Sequence, residues 1–225
     1  MKNEGLIYRI SGPVVTAIDM KAAMYDVVRV GTEGLMGEVI ELHGDKAVIQ
    51  VYEDTSGIRP GEVVVNTGET LSVSLGPGLL TQIYDGIQRP LPTLEKEMGV
   101  FLTRGVDADA FDLEKIWTFE PQVSVGDSVV GGQVVGHVQE TDTIVHKIMV
   151  VPGQGGTVKS IESGDFNVTQ TICTFEDGSE MQMMQEWPVR TPRPYQQKYP
   201  PVIPLVTGMR ILDFLFPLAK GGAAG

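Results

Sequence analysis

Short apolar runs that alternate at period two, cut by turn residues every 8–12 positions or so, fill the first 75 residues and restrict that stretch to a β fold. Leu6-Ile7-Tyr8-Arg9-Ile10 stops at Ser11-Gly12-Pro13, and Val14-Val15-Thr16-Ala17-Ile18 follows. Asp26-Val27-Val28-Arg29-Val30, residues 35–42 and residues 47–52 repeat the pattern. After the turn-rich Ser56-Gly57-Ile58-Arg59-Pro60-Gly61 come Glu62-Val63-Val64-Val65 and Leu71-Ser72-Val73-Ser74-Leu75. Six or seven strands this short argue a small barrel or sandwich. Closure removes the edges that such strands otherwise expose, so residues 1–75 are predicted to form a closed six- or seven-stranded barrel.

From Gly76 the texture changes. Leu79-Leu80-Thr81-Gln82-Ile83-Tyr84 has helical spacing, with Gly76-Pro77-Gly78 before it and Asp85-Gly86 after it. A second helix is predicted over 92–102, with Leu94, Met98, Phe101 and Leu102 on one face. Strands return between about residues 117 and 175, separated by Gly126-Asp127, Gly131-Gly132, Gly153-Gln154-Gly155-Gly156 and Gly164-Asp165. Their predicted core contains Val129, Val134, Val135, Val138, Ile148, Val150, Val158 and Ile172. Residues 190–204 are proline-rich and extended. A last helical stretch is predicted over 206–218, with Thr207 as N-cap, Met209, Leu212 and Phe216 in phase, and Pro217 as the stop.

Charge narrows the partners. The net charge is −12, and residues 107–186 carry 14 acids against three lysines. A basic footprint for nucleic acid is absent, and the acidic middle repels phosphate backbones. One cysteine, Cys173, excludes an internal disulfide and fits a reducing compartment; the apolar alternation around it marks it as buried filler. The N-terminus has no apolar signal core, and no uncharged apolar stretch is long enough to span a bilayer.

Catalytic chemistry is not legible. The phosphate-gripping run G-x-x-x-x-G-K-[ST] does not occur in the sequence. His43, His137 and His146 lack metal-ligand spacing, although a hairpin would bring the latter two together. The run Val125-Gly126-Asp127-Ser128-Val129-Val130-Gly131-Gly132, with the later Val151-Pro152-Gly153, resembles biotinyl and lipoyl carrier domains. A carrier needs a lysine at the hairpin tip. Here Glu140-Thr141-Asp142 leads to Thr143 instead, and Lys147 lies inside the next predicted strand. The pattern reads as a carrier-like barrel used as structure.

Longer runs carry a clearer resemblance. Gly5-Leu6-Ile7-Tyr8-Arg9-Ile10-Ser11-Gly12-Pro13-Val14-Val15 opens the chain, and Met24-Tyr25-Asp26, Gly34-Leu35-Met36-Gly37-Glu38-Val39 and Gln50-Val51-Tyr52-Glu53-Asp54-Thr55-Ser56-Gly57 follow. Most specific is Leu71-Ser72-Val73-Ser74-Leu75-Gly76-Pro77-Gly78-Leu79-Leu80, continued by Ile83-Tyr84-Asp85-Gly86-Ile87-Gln88-Arg89-Pro90-Leu91. Glu186-Trp187-Pro188-Val189-Arg190, Pro204-Leu205-Val206-Thr207-Gly208-Met209-Arg210-Ile211-Leu212-Asp213 and Leu215-Phe216-Pro217-Leu218-Ala219-Lys220-Gly221-Gly222 complete the set. In this order, and over nearly the whole chain, these runs resemble the catalytic A subunits of archaeal (A-type) and vacuolar (V-type) rotary ATPases.

The resemblance implies a mainly β chain: an N-terminal barrel over 1–75, a β-rich bulge insertion over 111–186, and first parts of an α/β nucleotide-binding domain over 76–110 and 187–225. It implies a parent that makes or hydrolyses ATP, coupled to proton or sodium transport. Expected partners are a B subunit in an alternating A3B3 hexamer and the central and peripheral stalks, peripherally attached at the cytoplasmic face of the cell membrane. In the family the Lys-Gly-Gly stretch runs into a phosphate loop, whereas here Lys220-Gly221-Gly222 is followed by Ala223-Ala224-Gly225. The expected end of the chain is therefore just before that loop. No residue carries over as catalytic, cofactor-binding or metal-binding; Mg-ATP or Mg-ADP is expected on the full-length parent and not tightly on these 225 residues. The rival reading is a non-catalytic assembly module made of barrel and insertion.

Overall fold

A computed structural model describes residues 3–99, 104–106, 108–195 and 197–223. The chain divides into two compact units, Met1–Pro192 and Arg193–Gly225. The first begins with six antiparallel strands: β1 (Glu4–Ser11), β2 (Val14–Ile18), β3 (Asp26–Val30), β4 (Leu35–His43), β5 (Lys46–Val51) and β6 (Val63–Thr70). They close in the order β1-β2-β5-β4-β3-β6, with β6 returning to β1. Alternation directs Ile7, Val15, Val28, Leu35, Ile49 and Val64 inward, where each is at most 2% exposed. Closure settles the predicted strand number at six. The seventh predicted strand, β7 (Ser72–Leu75), lies outside the barrel and pairs with a strand far downstream.

Helix α1 (Leu91–Met98) follows, with Pro90 at its N-cap and Leu94 fully buried. Gly99, in the left-handed region, ends it by donating its N–H to Glu95 O at 2.8 Å. Residues 100–102 of the predicted helix, including Phe101 and Leu102, lie outside the described residues. The other predicted helix, over 79–84, does not form. Thr81 adopts positive φ there, and Tyr84 forms a β-bridge with Pro90. Ile83 O accepts the Leu91 N–H at 2.9 Å and the Tyr84 hydroxyl donates to Ala110 O at 2.8 Å, so non-helical pairing with later residues overrides the local period.

Among the described residues, eight strands form the middle of the first unit: β8 (Trp117–Pro121), β9 (Ser128–Val130), β10 (Val134–Gln139), β11 (Val145–Met149), β12 (Gly155–Ile161), β13 (Gly164–Phe166), β14 (Thr171–Phe175) and β15 (Glu180–Gln182). Two four-stranded sheets result, β11-β10-β8-β13 and β15-β14-β12-β9. They share one core, in which Phe119, Val135, Val150, Val158 and Phe175 are at most 1% exposed. Of the predicted core, Val129, Val138, Ile148 and Ile172 are buried as well, but Val134 is only half-buried. A register shift between Val134 and Gly136 is the cause: the bulge turns Val135 inward and leaves Val134 opposite exposed Met149. Gly136 is needed for close approach, because a Cβ there would collide with the Phe119 ring. Strand β16 (Gln185–Pro188) then returns to pair antiparallel with β7.

The second unit is small. β17 (Pro204–Leu205) pairs with β18 (Leu218–Ala219), and α2 (Arg210–Leu215) lies between them in sequence. The helix is shorter than the predicted 206–218, and its N-cap is Met209 instead of Thr207. Asp213 reaches back from inside the helix and accepts the Thr207 N–H (2.9 Å), the Thr207 hydroxyl (2.8 Å) and the Gly208 N–H (3.0 Å). These bonds hold the Asp213 carboxyl below its ordinary value, the Thr207 N–H foremost. The Thr207 hydroxyl thus donates to Asp213 and also accepts the Met209 N–H at 3.1 Å, one residue before the helix begins.

Val135→Asp places an unpaired carboxylate in the core between the two middle sheets. The expected loss is about 3–5 kcal/mol, read as a lower urea-unfolding midpoint; a midpoint equal to wild type would remove Val135 from that core.

Candidate functional site

The run of residues 71–91 is where the elements of the first unit converge. Strand β7 supplies one side, pairing Ser72 with Pro188 and Leu75 with Gln185. On its other side Gln88 acts as a surrogate strand: its Oε1 accepts the Ser74 N–H at 2.8 Å and its Nε2 donates to Ser74 O at 2.7 Å. Gln88 holds positive φ to do so. Three carboxylates, each from a different part of the chain, then fix the surroundings.

The first is Asp85, which closes its own loop by accepting the Ile87 N–H (3.0 Å), the Arg89 N–H (2.9 Å) and Arg89 Nε (2.7 Å). Arg89 extends Nη1 to Glu53 of the barrel (3.1 Å) and to Val106 O (2.8 Å). Glu53 also takes the N–H groups of Gly105 and Met36. Burial opposes ionisation of Asp85, but the Arg89 N–H, the guanidinium and the Ile87 N–H outweigh it and lower its pKa. Burial likewise opposes the charge on Arg89, and Asp85 and Glu53 more than restore it.

The second is Glu38 on β4, whose side chain is 2% exposed. Arg190, just after β16, grips it as a fork through Nε (2.9 Å) and Nη2, and the Tyr52 hydroxyl donates to it at 3.1 Å. The guanidinium lies 4.3 Å from the centroid of the Tyr25 ring. Tyr25 holds positive φ while its N–H bonds Val39 O at 2.9 Å. Burial, and then the charge of Glu38, raise the Tyr52 pKa.

The third is Glu140, at the β10–β11 hairpin and also 2% exposed. Its Oε1 accepts the N–H groups of Gly78 (2.7 Å) and Leu80 (3.2 Å), and its Oε2 lies 2.8 Å from His146 Nδ1. Beside this contact opens a cleft of about 1020 Å³, lined by Pro77, Pro92, Lys96, Phe111 and Trp117 among others. Lys115 lies 4.0 Å from the Trp117 ring centroid.

These arrangements are fasteners, and they join the barrel, the loop after it and the middle sheets. No group of three or more His, Cys, Asp or Glu residues able to hold a metal occurs among the described residues. His137 and His146 do not meet: His137 pairs with Lys147 and His146 with Val138, which puts the rings on opposite faces of the hairpin. His137 engages Glu120 at 3.2 Å instead. Cys173 is 1% exposed, and burial raises its pKa. Thr143 stands in the turn between β10 and β11, and Lys147 lies within β11. Sequence reasoning did not find Glu38, Glu53, Arg89, Glu140 or Arg190. The available signal was Glu38 and Arg89 within otherwise apolar or turn-forming runs; their partners lie 152 and 36 residues away.

Arg89→Ala leaves Glu53 and Asp85, 9% and 18% exposed, without their cation. The expected destabilisation is about 3 kcal/mol, with Arg89→Lys intermediate, measured by urea unfolding. The contribution of Asp85 is complete above the unfolded carboxylate range and is lost as pH falls through its lowered folded value. Arg89→Ala should therefore also begin acid unfolding at a higher pH than wild type.

Comparison with known proteins agrees with this architecture. Residues 7–68 match the family model described as the ATP synthase alpha/beta family, beta-barrel domain. Residues 108–190 match the ATP synthase alpha/beta subunit barrel-sandwich domain. Over 224 residues the chain is 62% identical to the A subunit of the A-type ATP synthase of Methanosarcina barkeri, covering 100% of this chain and 39% of that protein. The corresponding protein of Methanocorpusculum labreanum is 62% identical over 221 residues, covering 98% and 38%. That of Natronomonas pharaonis is 59% identical over 223 residues, covering 99% and 38%. The chain thus spans about two fifths of the length of these relatives. With both domain models matched in chain order and this identity throughout, the chain belongs to the ATP synthase alpha/beta family, as the counterpart of part of an A-type A subunit.

Proposed function

We propose that these residues form the barrel and insertion of the catalytic A subunit of an A-type ATP synthase. The observation that carries this reading is the identity of about three residues in five along the whole chain with proteins of that name. The whole protein would make or hydrolyse ATP, coupled to proton or sodium movement, in an alternating A3B3 hexamer with B subunits and stalks. Its place would be peripheral, on the cytoplasmic face of the membrane. Within it, residues 1–75 are proposed as the barrel, 111–186 as the bulge insertion, and 76–110 with 187–225 as the first parts of the nucleotide-binding domain. No helix among the described residues is long and apolar enough to cross a membrane.

Two features support an assembly role for the barrel. Leu6 on β1 and Val63 on β6 are paired across the closing seam, and both present exposed side chains (42% and 43%). Neighbouring Tyr8 and Val65 extend the apolar strip. A barrel that meets flanking barrels in a ring would bury such a strip. Leu6→Lys with Val63→Glu keeps a favourable cross-strand pair. In the full-length catalytic protein, this double variant should unfold at the wild-type midpoint yet fail to form the hexamer with B subunits, read by size exclusion. Hexamers formed as in wild type would refute this use of the seam.

Nucleotide chemistry is proposed to reside in the rest of the parent protein, because the sequence of this chain contains no G-x-x-x-x-G-K-[ST] run. Isothermal titration of the chain with Mg-ATP should give no measurable heat of binding. Micromolar affinity at unit stoichiometry would overturn this assignment.

A further inference from the structure

The contact at Glu140 repeats the donor pattern of Asp85, but between segments far apart in sequence instead of within one loop. Two backbone N–H groups, Gly78 and Leu80, converge on one carboxylate oxygen, and His146 faces the other. The donors come from a turn some 60 residues earlier in sequence, while Glu140 and His146 come from the insertion hairpin. Gly78 sits at φ +108°, a conformation that L side chains rarely adopt, and this aims its N–H at the carboxylate. Between the two donors, Leu79 packs against the insertion core. A carboxylate with three donors and 2% exposure is coordinated as a bound anion is.

We propose that the turn carrying Gly78 and Leu80 is a built cradle for one carboxylate, filled by Glu140, and that this contact is the latch that docks the insertion onto the segment following the barrel. The cradle is specific for the class of ligand: N–H donors above and an imidazole nitrogen beside them match the two oxygens of a carboxylate. Other links, such as the Tyr84 hydroxyl to Ala110 O at 2.8 Å, hold the same border. The latch ties the hairpin end of the insertion to the turn.

Burial opposes the charge on Glu140, but the Gly78 N–H, His146 and the Leu80 N–H outweigh it and hold its carboxyl below the ordinary value. The charged or titratable groups around it are His146 from its own hairpin, Tyr84 from the loop, and Lys115, Glu120 and His137 along the adjoining crevice. A depressed carboxyl contributes stability that is present above the unfolded value and lost as pH falls through the folded one.

Amide exchange in the full chain tests the proposal. In Glu140→Ala, the Gly78 and Leu80 amides should exchange faster by on the order of tenfold or more. Sodium formate, which can enter the vacated cradle, should restore part of their protection. Exchange at the wild-type rate, or no effect of formate on a variant with a native far-UV spectrum, would overturn the latch. Should that variant fail to fold, the wild-type protein decides. The amide-proton shifts of Gly78 and Leu80 should titrate together, with one midpoint below the ordinary glutamate range; unlinked shifts, or none, would refute it.

Discussion

The fork between Arg190 and Glu38 is the interaction on which the first unit turns. It joins residues 152 positions apart, and it does so within a barrel strand, where the carboxylate is withdrawn from water. An ionised side chain in that place is tolerable only with a partner. Tyr52 and Arg190 together satisfy it, and Tyr25 accepts a strained backbone to stack beneath the guanidinium. The chain leaving β16 is thereby tied to the barrel it left at Thr70. Strand β7 pairs with β16, Gln88 bonds to Ser74 of β7, and Arg89 carries the Asp85 loop to Glu53.

How much of this was legible in the sequence depends on the range of the forces involved. Period-two alternation is a property of consecutive residues, so the barrel strands were readable. The short middle strands were readable for the same reason, because glycine turns separate them. Failure came where a local signal met a distant partner. Residues 79–84 have helical spacing, yet Tyr84 bridges to Pro90 and Ile83 O accepts the Leu91 N–H, which hold the stretch out of a helix. Val134 fits a core pattern, but a bulge, whose position depends on the facing strand, turns it outward. At α2 the residue types were right and the boundaries were not: the helix starts at Arg210, and Thr207, which donates to Asp213 and accepts the Met209 N–H, stands just before its Met209 N-cap.

The fasteners were invisible for a related reason. A glutamate in a strand or an arginine in a turn carries no mark of its partner until the fold brings them together. The chain has 29 acidic residues, and only burial with a partner separates Glu38, Glu53 and Glu140 from the exposed majority. The family resemblance fared better, because long ordered runs encode the whole arrangement at once, including contacts that no single window reveals.

The pairing of β7 with β16 has an evolutionary consequence. Ser72 opposite Pro188 and Leu75 opposite Gln185 bring the exit and the return of the intervening polypeptide side by side. The polypeptide between is a loop closed by one short ladder, fastened near its start to Glu53 through Arg89 and Gly105. The entropy of closing such a loop rises only with the logarithm of its length, about 0.6 kcal/mol for each doubling. A lineage could therefore lengthen, shorten or replace the material hung there with little penalty to the barrel. What constrains its size is the need to build a core of its own, which the two four-stranded sheets do.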